Sequence, residues 1–489
     1  MAFAGFLKHA FRLLSSRLSS RPSERAEPRR VRARYDAAVT SPENRRHWAN
    51  ADLLSADAAN SPEVRRILRA RARYEIANNC FARGITNTLA NFIVGTGPRL
   101  QLLTPDAELN SAIERQFNAW AEAVNLAEKL RVMRMAVTQD GEAFAILTSN
   151  PGIDHPVQLD IRLVEADQIA TPGLVTPTDR AVDGIVFDRW GNPVEYHLLT
   201  RHPGDPGLPV MDYRRISARD VIHYFHLQRP GQHRAIPEIT PALPLFSQLR
   251  RYTLAVLAAA ETAADFAAVV QTDMPPPPDY EAVAQPFEVV ELEPRMATVL
   301  PYGFKIGQVQ PQQPSTNHEA FVKLILNEIA RCFDMPLNIA LCNSAGYNYA
   351  SGRLDHQTFF KRIRTEREHM ARVVLRPILR AWLEEAQLIA PPLLPARGIA
   401  WSDLAFQFFW DGMEHVDPVK EATAQKIRLE TMTTTLAYEC AREGRDWEAV
   451  LKQRAKELAL MRELGIADTT EAPLSPIPVE DTEDARAEA

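Results

Sequence analysis

Cysteine is nearly absent from this chain. Its four cysteines, Cys80, Cys332, Cys342 and Cys440, stand alone, and none forms a C-x-x-C pair. That excludes a zinc ribbon or a dithiol redox motif and fits inert thiols in a reducing compartment. Long apolar runs are missing too, and none approaches the roughly 20 residues that a membrane span needs. Neither sign of charge dominates. A formal net charge of −6 over 489 residues argues against a protein that grips DNA through many phosphate contacts, and leaves room for one that lets DNA slide past. Glycine is sparse, 20 against 36 prolines, which suits many element ends and few flexible linkers. The signatures of catalysis are also absent: no G-x-S-x-G, no H-E-x-x-H and no Walker lysine. Gly95-Thr96-Gly97-Pro98 is no phosphate loop, because no Gly-Lys-Ser/Thr follows. No catalytic residue, metal ligand or cofactor is therefore assigned.

What is present reads as an α+β chain, mainly helical. The apolar and charged fractions, 46% and 24%, are those of an ordinary globular protein. Residues Met1 to Ser20 place Phe3, Phe6, Leu7, Ala10, Phe11, Leu14 and Leu18 on one helical face. A membrane-surface helix and a terminal helix docked on its own protein both fit that pattern. Arg21 to Arg34 reads as a basic, disordered arm. Ser41-Pro42-Glu43 and Ser61-Pro62-Glu63 both look like helix starts, with a Ser cap, Pro at the first position and an acid in the first turn. From Pro62 one long helix is expected to reach Phe92, with Gly84 inside it. A second helix runs from Pro105 to Ala123 on the face Leu109, Ile113, Phe117 and Trp120, and a third from Glu128 to Gln139.

Asp140-Gly141-Glu142 then opens a β-rich region, as a solvated turn. Strands are expected at Ala143 to Thr148, Val157 to Val164 and Val221 to Leu227. Gly184 to Asp188 and Val194 to Thr200 flank the hairpin turn Arg189-Trp190-Gly191-Asn192-Pro193. His223 and His226 lie three apart in a strand pattern and so face opposite sides, which argues against a shared metal. A long helix follows from Ile239 to Ala268, alanine-rich in its second half. A small insert, Thr272 to Thr316, carries a polyproline run and short strands at Phe287 to Leu292, Ala297 to Leu300 and Gly303 to Val309.

The stretch that organises the chain is Asn317 to Glu385. Phe321, Leu324, Ile325, Glu328 and Ile329 mark an amphipathic helix that ends near Asp334-Met335, ahead of Pro336. Met370, Val373, Val374, Pro377, Ile378, Ala381 and Trp382 mark a second, with a kink expected at Pro377 because proline offers no N–H to Val373. Between them, Asn343 to Gly352 holds two glycines and two tyrosines and no charge. Beyond lie a strand at Ala405 to Trp410, helices starting at Pro418, Thr431 and Trp447, and an acidic tail at Thr469 to Ala489 that reads as disordered.

This helix, uncharged loop and long kinked helix resemble the core of phage portal proteins of the lambda type. The segments Arg71 to Gln101, Asp183 to Leu199, Val221 to Leu243, Trp410 to Ala422 and Cys440 to Leu458 extend the likeness over most of the chain. The resemblance implies a division into an N-terminal arm (1–40), a wing (41–236), a first stem helix (237–271), a clip (272–316), a second stem helix (317–335), a tunnel loop (336–352), a long kinked helix with a strand returning to the wing (353–416), a helical crown (417–466) and a tail (467–489). It implies a ring of about twelve copies at one capsid vertex, through which double-stranded DNA enters and leaves. The implied partners are the terminase large subunit, the major capsid or scaffold protein and a head–tail connector, with no membrane. The implied location is the virion, and the host cytoplasm during assembly.

The resemblance further implies that Asn343, Ser344, Tyr347, Asn348, Tyr349 and Ser351 face DNA in the tunnel. Lys361, Arg362 and Arg364 are candidates for a basic ring in the channel; pairing with Glu366 and Glu368 is the competing reading. Pro276, Tyr280, Phe287 and Glu291 fall in the clip, where the motor would dock. No enzymatic activity is expected. Two alternatives remain open: a monomeric helical adaptor, and a metal-dependent nuclease built on Asp140 and Glu142.

Overall fold

A computed structural model describes residues 36–172, 180–206, 212–265, 269–272, 304–307, 318–389, 392–395, 399–412 and 418–466. The chain divides into two compact units, Met1–Ser55 and Ala56–Ala489. In the first, Ser41 and Asn44 cap each other: Asn44 Oδ1 accepts from Ser41 N at 2.8 Å and Ser41 Oγ from Asn44 N at 3.3 Å. The expected helix does not follow; residues 42–50 form successive turns.

The second unit opens with a single helical turn, Ala56–Ala59, and the Ser61 start that follows it holds. Ser61 Oγ caps Val64 N, and helix α1 spans Pro62–Asn78. The single long helix expected to Phe92 is broken at Asn79. That residue is extended (φ −126°), and its side chain caps a new helix α2, Cys80–Ile93. An amide able to accept from Phe81 N and Ala82 N competes with the helical backbone, and hydrophobic periodicity does not register such a cap. Gly95 and Gly97, at φ 59° and 109°, end α2. Strand β1 (Arg99–Leu102), helix α3 (Ala107–Ala123) and helix α4 (Leu126–Asp140) follow. On α3 the expected face points inward: Ile113, Phe117 and Trp120 are buried, and Trp120 donates its indole N–H to Leu159 O at 2.9 Å.

Two antiparallel sheets come next. In one, β2 (Glu142–Ser149) lies between β3 (Leu159–Val164) and β8 (Val221–Phe225). In the other, β4 (Ala181–Val182), β5 (Ile185–Phe187), β6 (Pro193–Leu199) and β7 (Tyr213–Ser217) pair in sequence order. The β5–β6 hairpin has the expected turn, fastened by Asp188 Oδ1, which accepts from Trp190 N and Asn192 N at 2.8 Å each. Phe144, Ile146, Ile185, Tyr196 and Leu198 form a small core between the sheets. The opposite face of β2 joins the main core, where Phe117 meets Trp382 edge-on at 5.4 Å between ring centroids.

Helix α5 (Leu243–Asp265) leads to β9 (Val269–Thr272), which pairs antiparallel with β10 (Phe304–Gly307). β10 matches the extended piece expected at Gly303 to Val309; β9 had no signal of its own. The two other strands of the insert, and Pro276, Tyr280, Phe287 and Glu291 with them, lie outside the described residues. So do the N-terminal arm to residue 35 and the acidic tail.

Helix α6 (His318–Cys332) buries Ile325, Leu326, Ile329 and Ala330. The expected face is therefore rotated, for Phe321, Leu324 and Glu328 are exposed. A short helix α7 (Leu337–Leu341) occupies the start of the expected loop. Helix α8 (Tyr349–Met370) passes into a π-helical turn, Ala371–Leu375, and then α9 (Arg376–Ala386). The irregularity thus sits in the turn before Pro377. Val373 lacks a donor at position 377, and a wider turn re-pairs the carbonyls one residue later. Strand β11 (Phe406–Phe409) returns to pair antiparallel with β1. Helices α10 (Pro418–Glu430), α11 (Leu436–Arg442) and α12 (Trp447–Glu463) complete the described fold. No described helix is long and apolar enough to cross a membrane.

Candidate functional site

The site begins where α6 ends. Asp334 takes a left-handed conformation (φ 45°), and Met335 N–H reaches back to Ala330 O at 3.1 Å. Pro336 cannot extend α6 but suits the position before a new helix, and α7 starts there. Cys342, also left-handed (φ 49°), closes α7 with its N–H on the carbonyls of Asn338 and Ile339. The loop proper is then only residues 342–348, shorter than sequence patterning indicates, and all but Tyr347 are exposed. Asn343 Oδ1 accepts from Ala345 N at 2.9 Å, and Tyr347 N–H donates to Ser344 O at 3.1 Å. Gly346 (φ 84°) supplies the left-handed turn. Asn348 Oδ1 caps α8 through Ser351 N at 2.8 Å.

Tyr349 and Ser351, expected in the loop, thus belong to the first turn of α8, because Asn348 is a strong cap. The loop itself is an uncharged surface whose shape its own backbone fixes. Asn338, buried below it, holds His356 of α8 at 3.1 Å between Nδ2 and Nε2.

The three basic residues expected on the channel side divide. Lys361 and Arg364 are exposed. Arg362 is instead taken up by an internal ion pair with Glu238 and lies 3.7 Å from Glu366. Burial leaves its guanidinium little choice but a carboxylate partner. Glu238 also accepts from Arg134 Nη2 at 2.9 Å and Thr138 Oγ1 at 3.1 Å, and Glu366 meets His226 at 2.9 Å. Burial pushes the Glu366 carboxyl up, but Arg134, the His226 hydrogen bond and Arg362 outweigh it and bring it down to about 2. This cluster ties α8, the helix that leaves the loop, to α4 and to the segment after β8.

Asp140 and Glu142 are not on a solvated turn. Both are buried. Glu142 Oε1 accepts from Arg69 Nη2 at 2.6 Å and Arg234 Nη2 at 2.7 Å, and Oε2 meets His223 Nε2 at 2.8 Å. Asp140 pairs with Arg73 at 2.7 Å. Burial opposes ionisation of Glu142, yet Arg234, His223 and Arg69 hold it well below the usual carboxylate range. Guanidinium groups therefore fill the space that a nuclease would give to metal ions. Histidines 223 and 226 take different carboxylate partners, Glu142 and Glu366; His223 is in β8 and His226 lies just beyond its end. Glu165, Asp167 and His202 have ligand atoms within 4.8 Å of one another, but Arg73 lies 3.3 Å from Glu165 and 2.6 Å from Asp167. The charge there is already neutralised.

Residues 42–367 match the family model of phage portal proteins, lambda family. The chain belongs to that family. A probable portal protein of Halomonas phage phiHAP-1 is 26% identical over 427 residues, covering 82% of this chain and 81% of its own. Among solved structures, a chain from the neck of an empty GTA particle computed with C6 symmetry is similar at TM-score 0.43 and 15% identity, covering 76% of this chain and 92% of its own. A chain from the virion of a native gene transfer agent particle follows at TM-score 0.39 and 13% identity, covering 77% and 93%. As a lambda-family portal protein, this chain is a subunit of a ring in a viral capsid that passes DNA. The portal family is a structural one, in keeping with the arginine-filled surroundings of Asp140 and Glu142.

Arg69, Arg73, Arg134, Arg234 and Glu238 carry the buried clusters and escape a reading of motifs. The one signal was Arg65-x3-Arg69-x3-Arg73 on α1, a spacing that puts three arginines on a single helix face. Such a row ordinarily reads as solvated; here its first two members are 2% and 4% exposed.

Proposed function

We propose that the 342–348 loop lines the narrowest part of the portal channel and touches passing DNA without holding it. The observation that carries this is the loop's own structure: exposed, free of charge, and fixed by Asn343, Gly346 and the Asn348 cap. Each Lys or Arg contact to phosphate would add affinity and release counterions, so a charged loop would retard translocation. Asn, Ser and Tyr side chains offer weak, exchangeable contacts. Lys361 and Arg364, about three to four turns into α8, give a sparse positive ring behind the loop. Arg362 serves α8 itself.

In this reading the ring has about twelve copies and no enzymatic activity. The insert 272–316 meets the terminase large subunit, and the crown and wing meet the capsid or scaffold protein and a head–tail connector. Assembly takes place in the host cytoplasm. The exposed apolar residues on α5 and α6 support the side-by-side packing that a ring needs. Leu254 and Leu257 on α5 are 59% and 55% exposed, and Phe321 and Leu324 on α6 are 43% and 57% exposed.

The test replaces residues 343–347 with a Gly/Ser linker and keeps the Asn348 cap. Rings should form as before by native mass spectrometry, while DNA packaging or retention is lost. Normal packaging with the replaced loop would sink the assignment. A chain that stays monomeric with capsid and scaffold proteins added would favour the adaptor reading instead.

A further inference from the structure

A groove of about 570 Å³ lies between the edge of the β2–β3 sheet and the π turn leading into α9. Four arginines line it: Arg219, Arg372, Arg376 and Arg380. The last three are spaced i, i+4, i+8 and are exposed. In an unbroken α-helix each step of four residues drifts about 40°, so the third arginine would sit about 80° from the first. The wider π turn at Ala371–Leu375 rotates less per residue and takes back much of that drift. The irregularity therefore keeps the three positions on one side of the helix, along about 12 Å of its axis at 1.5 Å per residue, and all three line the groove.

Arg380 pairs with Glu384 at 3.1 Å. Arg372 contacts His369, and Arg376 lies over the Phe406 ring. Neither of these two has a carboxylate partner among the described residues. Leu147, Leu159, Pro377 and Trp401 add apolar patches to a lining that also holds Thr148 and Ser149. Asp220, Glu384 and Glu385 also lie in the lining. A uniformly charged DNA backbone would be repelled by those acids and would leave the apolar patches uncovered. A polypeptide with apolar anchors followed by clustered carboxylates would use both.

We propose that the occupant is this chain's own C-terminal segment, residues 467–489. Its sequence has that composition in that order: Leu474, Ile477 and Val479, then Glu480, Asp481, Glu483 and Asp484. Glu480 lies fourteen positions beyond Ile466, a reach of roughly 50 Å when extended. The carboxylates meet Arg372 and Arg376, and the apolar residues cover Trp401 and Pro377. The inference rests on the groove and holds whether or not the loop assignment above does.

Hydrogen–deuterium exchange on the full chain tests it. The comparison is with Glu480→Gln, Asp481→Asn, Glu483→Gln and Asp484→Asn combined, a variant that leaves every described residue untouched. Exchange over 372–385 and 147–159 should rise about threefold or more in the variant, and salt at about 0.5 M should have the same effect on the wild type. Arg372→Glu should also raise exchange, and combining it with Glu480→Lys and Asp481→Lys should lower it again. Equal exchange in wild type and neutralised tail would overturn the proposal. So would protection that appears only when short duplex DNA is added.

Discussion

Asp411 accepts two hydrogen bonds from Thr96, one from its backbone N–H and one from its hydroxyl, both at 2.6 Å. The contact joins the end of α2 to the chain leaving β11, residues 315 positions apart. Arg367 of α8 reaches the same junction and donates to the carbonyls of Phe92, Ile93 and Asp411 at 2.8–3.0 Å. The helix that follows the 342–348 loop is thereby fixed to both segments.

Gly95 makes the junction possible. It is left-handed at φ 59°, and a Cβ there would collide with the Asp411 carboxylate. Gly95→Ala should cost about 1–3 kcal/mol, from the strained backbone and the displaced hydrogen bonds. Gly84→Ala is the control. Gly84 is helical with nothing within 4 Å of an added Cβ, so it should be neutral or stabilise by up to about 1 kcal/mol. Urea midpoints read both, and equal midpoints would show that Asp411 does not constrain this turn.

Glu142 gives a pH prediction. Its carboxyl in the folded chain lies well below the usual value because Arg234, His223 and Arg69 overcome burial. The sign follows from linkage. A depressed carboxylate contributes stability above its unfolded value, about 4.3, and loses it as pH falls through the folded value. Glu142→Gln should cost up to about 3–5 kcal/mol near neutrality, because two buried guanidinium groups lose the carboxylate they share and keep only Asp167 for Arg69 and Asp183 for Arg234. It should also flatten the loss of stability below about pH 4. A variant that melts like the wild type at pH 7 would remove this cluster from the account of what holds α1 to the β2 turn.

Glu114 on α3 runs the other way. Partial burial, with Asp446 and Glu448 near it, pushes its carboxyl up to about 7, although Leu102 N–H and Lys452 pull it down. A raised carboxylate in the folded state makes stability fall as pH rises from its unfolded value, about 4.3, to about 7. Glu114→Gln should weaken that decline and raise the melting temperature at pH 8 relative to the wild type. No change in slope between pH 5 and 8 would refute the assignment.

The elements with a clean period were legible in the sequence. The α3 face, the β5–β6 hairpin and the β11 strand rest on local patterns that tertiary context did not override. The break at Asn79 and the start of α8 at Asn348 were not, because each depends on one amide choosing to cap. The buried clusters around Glu142 and Glu238 were invisible for another reason. Their partners lie 73 to 124 positions apart for Arg69–Glu142, Arg234–Glu142, Arg134–Glu238 and Arg362–Glu238, and no spacing rule spans such a distance. Of the loop, the lack of charge was readable and the extent was not.

The rotated face of α6 leads to the last prediction. Periodicity put Phe321 and Leu324 inside, and in the single chain they stand exposed on the same helix as buried Ile325 and Ile329. Leu254 and Leu257 do the same on α5, whose Tyr252 ring packs against Phe321 at 4.7 Å between centroids. An apolar stripe wider than one chain can bury suits an identical neighbour, since burying such side chains is worth about 1.5–3 kcal/mol each when complete. Leu324→Asp or Leu257→Asp should leave the melting temperature of the unassembled chain nearly unchanged, as exposed substitutions do within about 0.5 kcal/mol. The same substitutions should abolish ring assembly in native mass spectrometry. If instead the monomer itself unfolds, the stripe belongs to the chain's own core; if rings form normally, neighbours meet through another face.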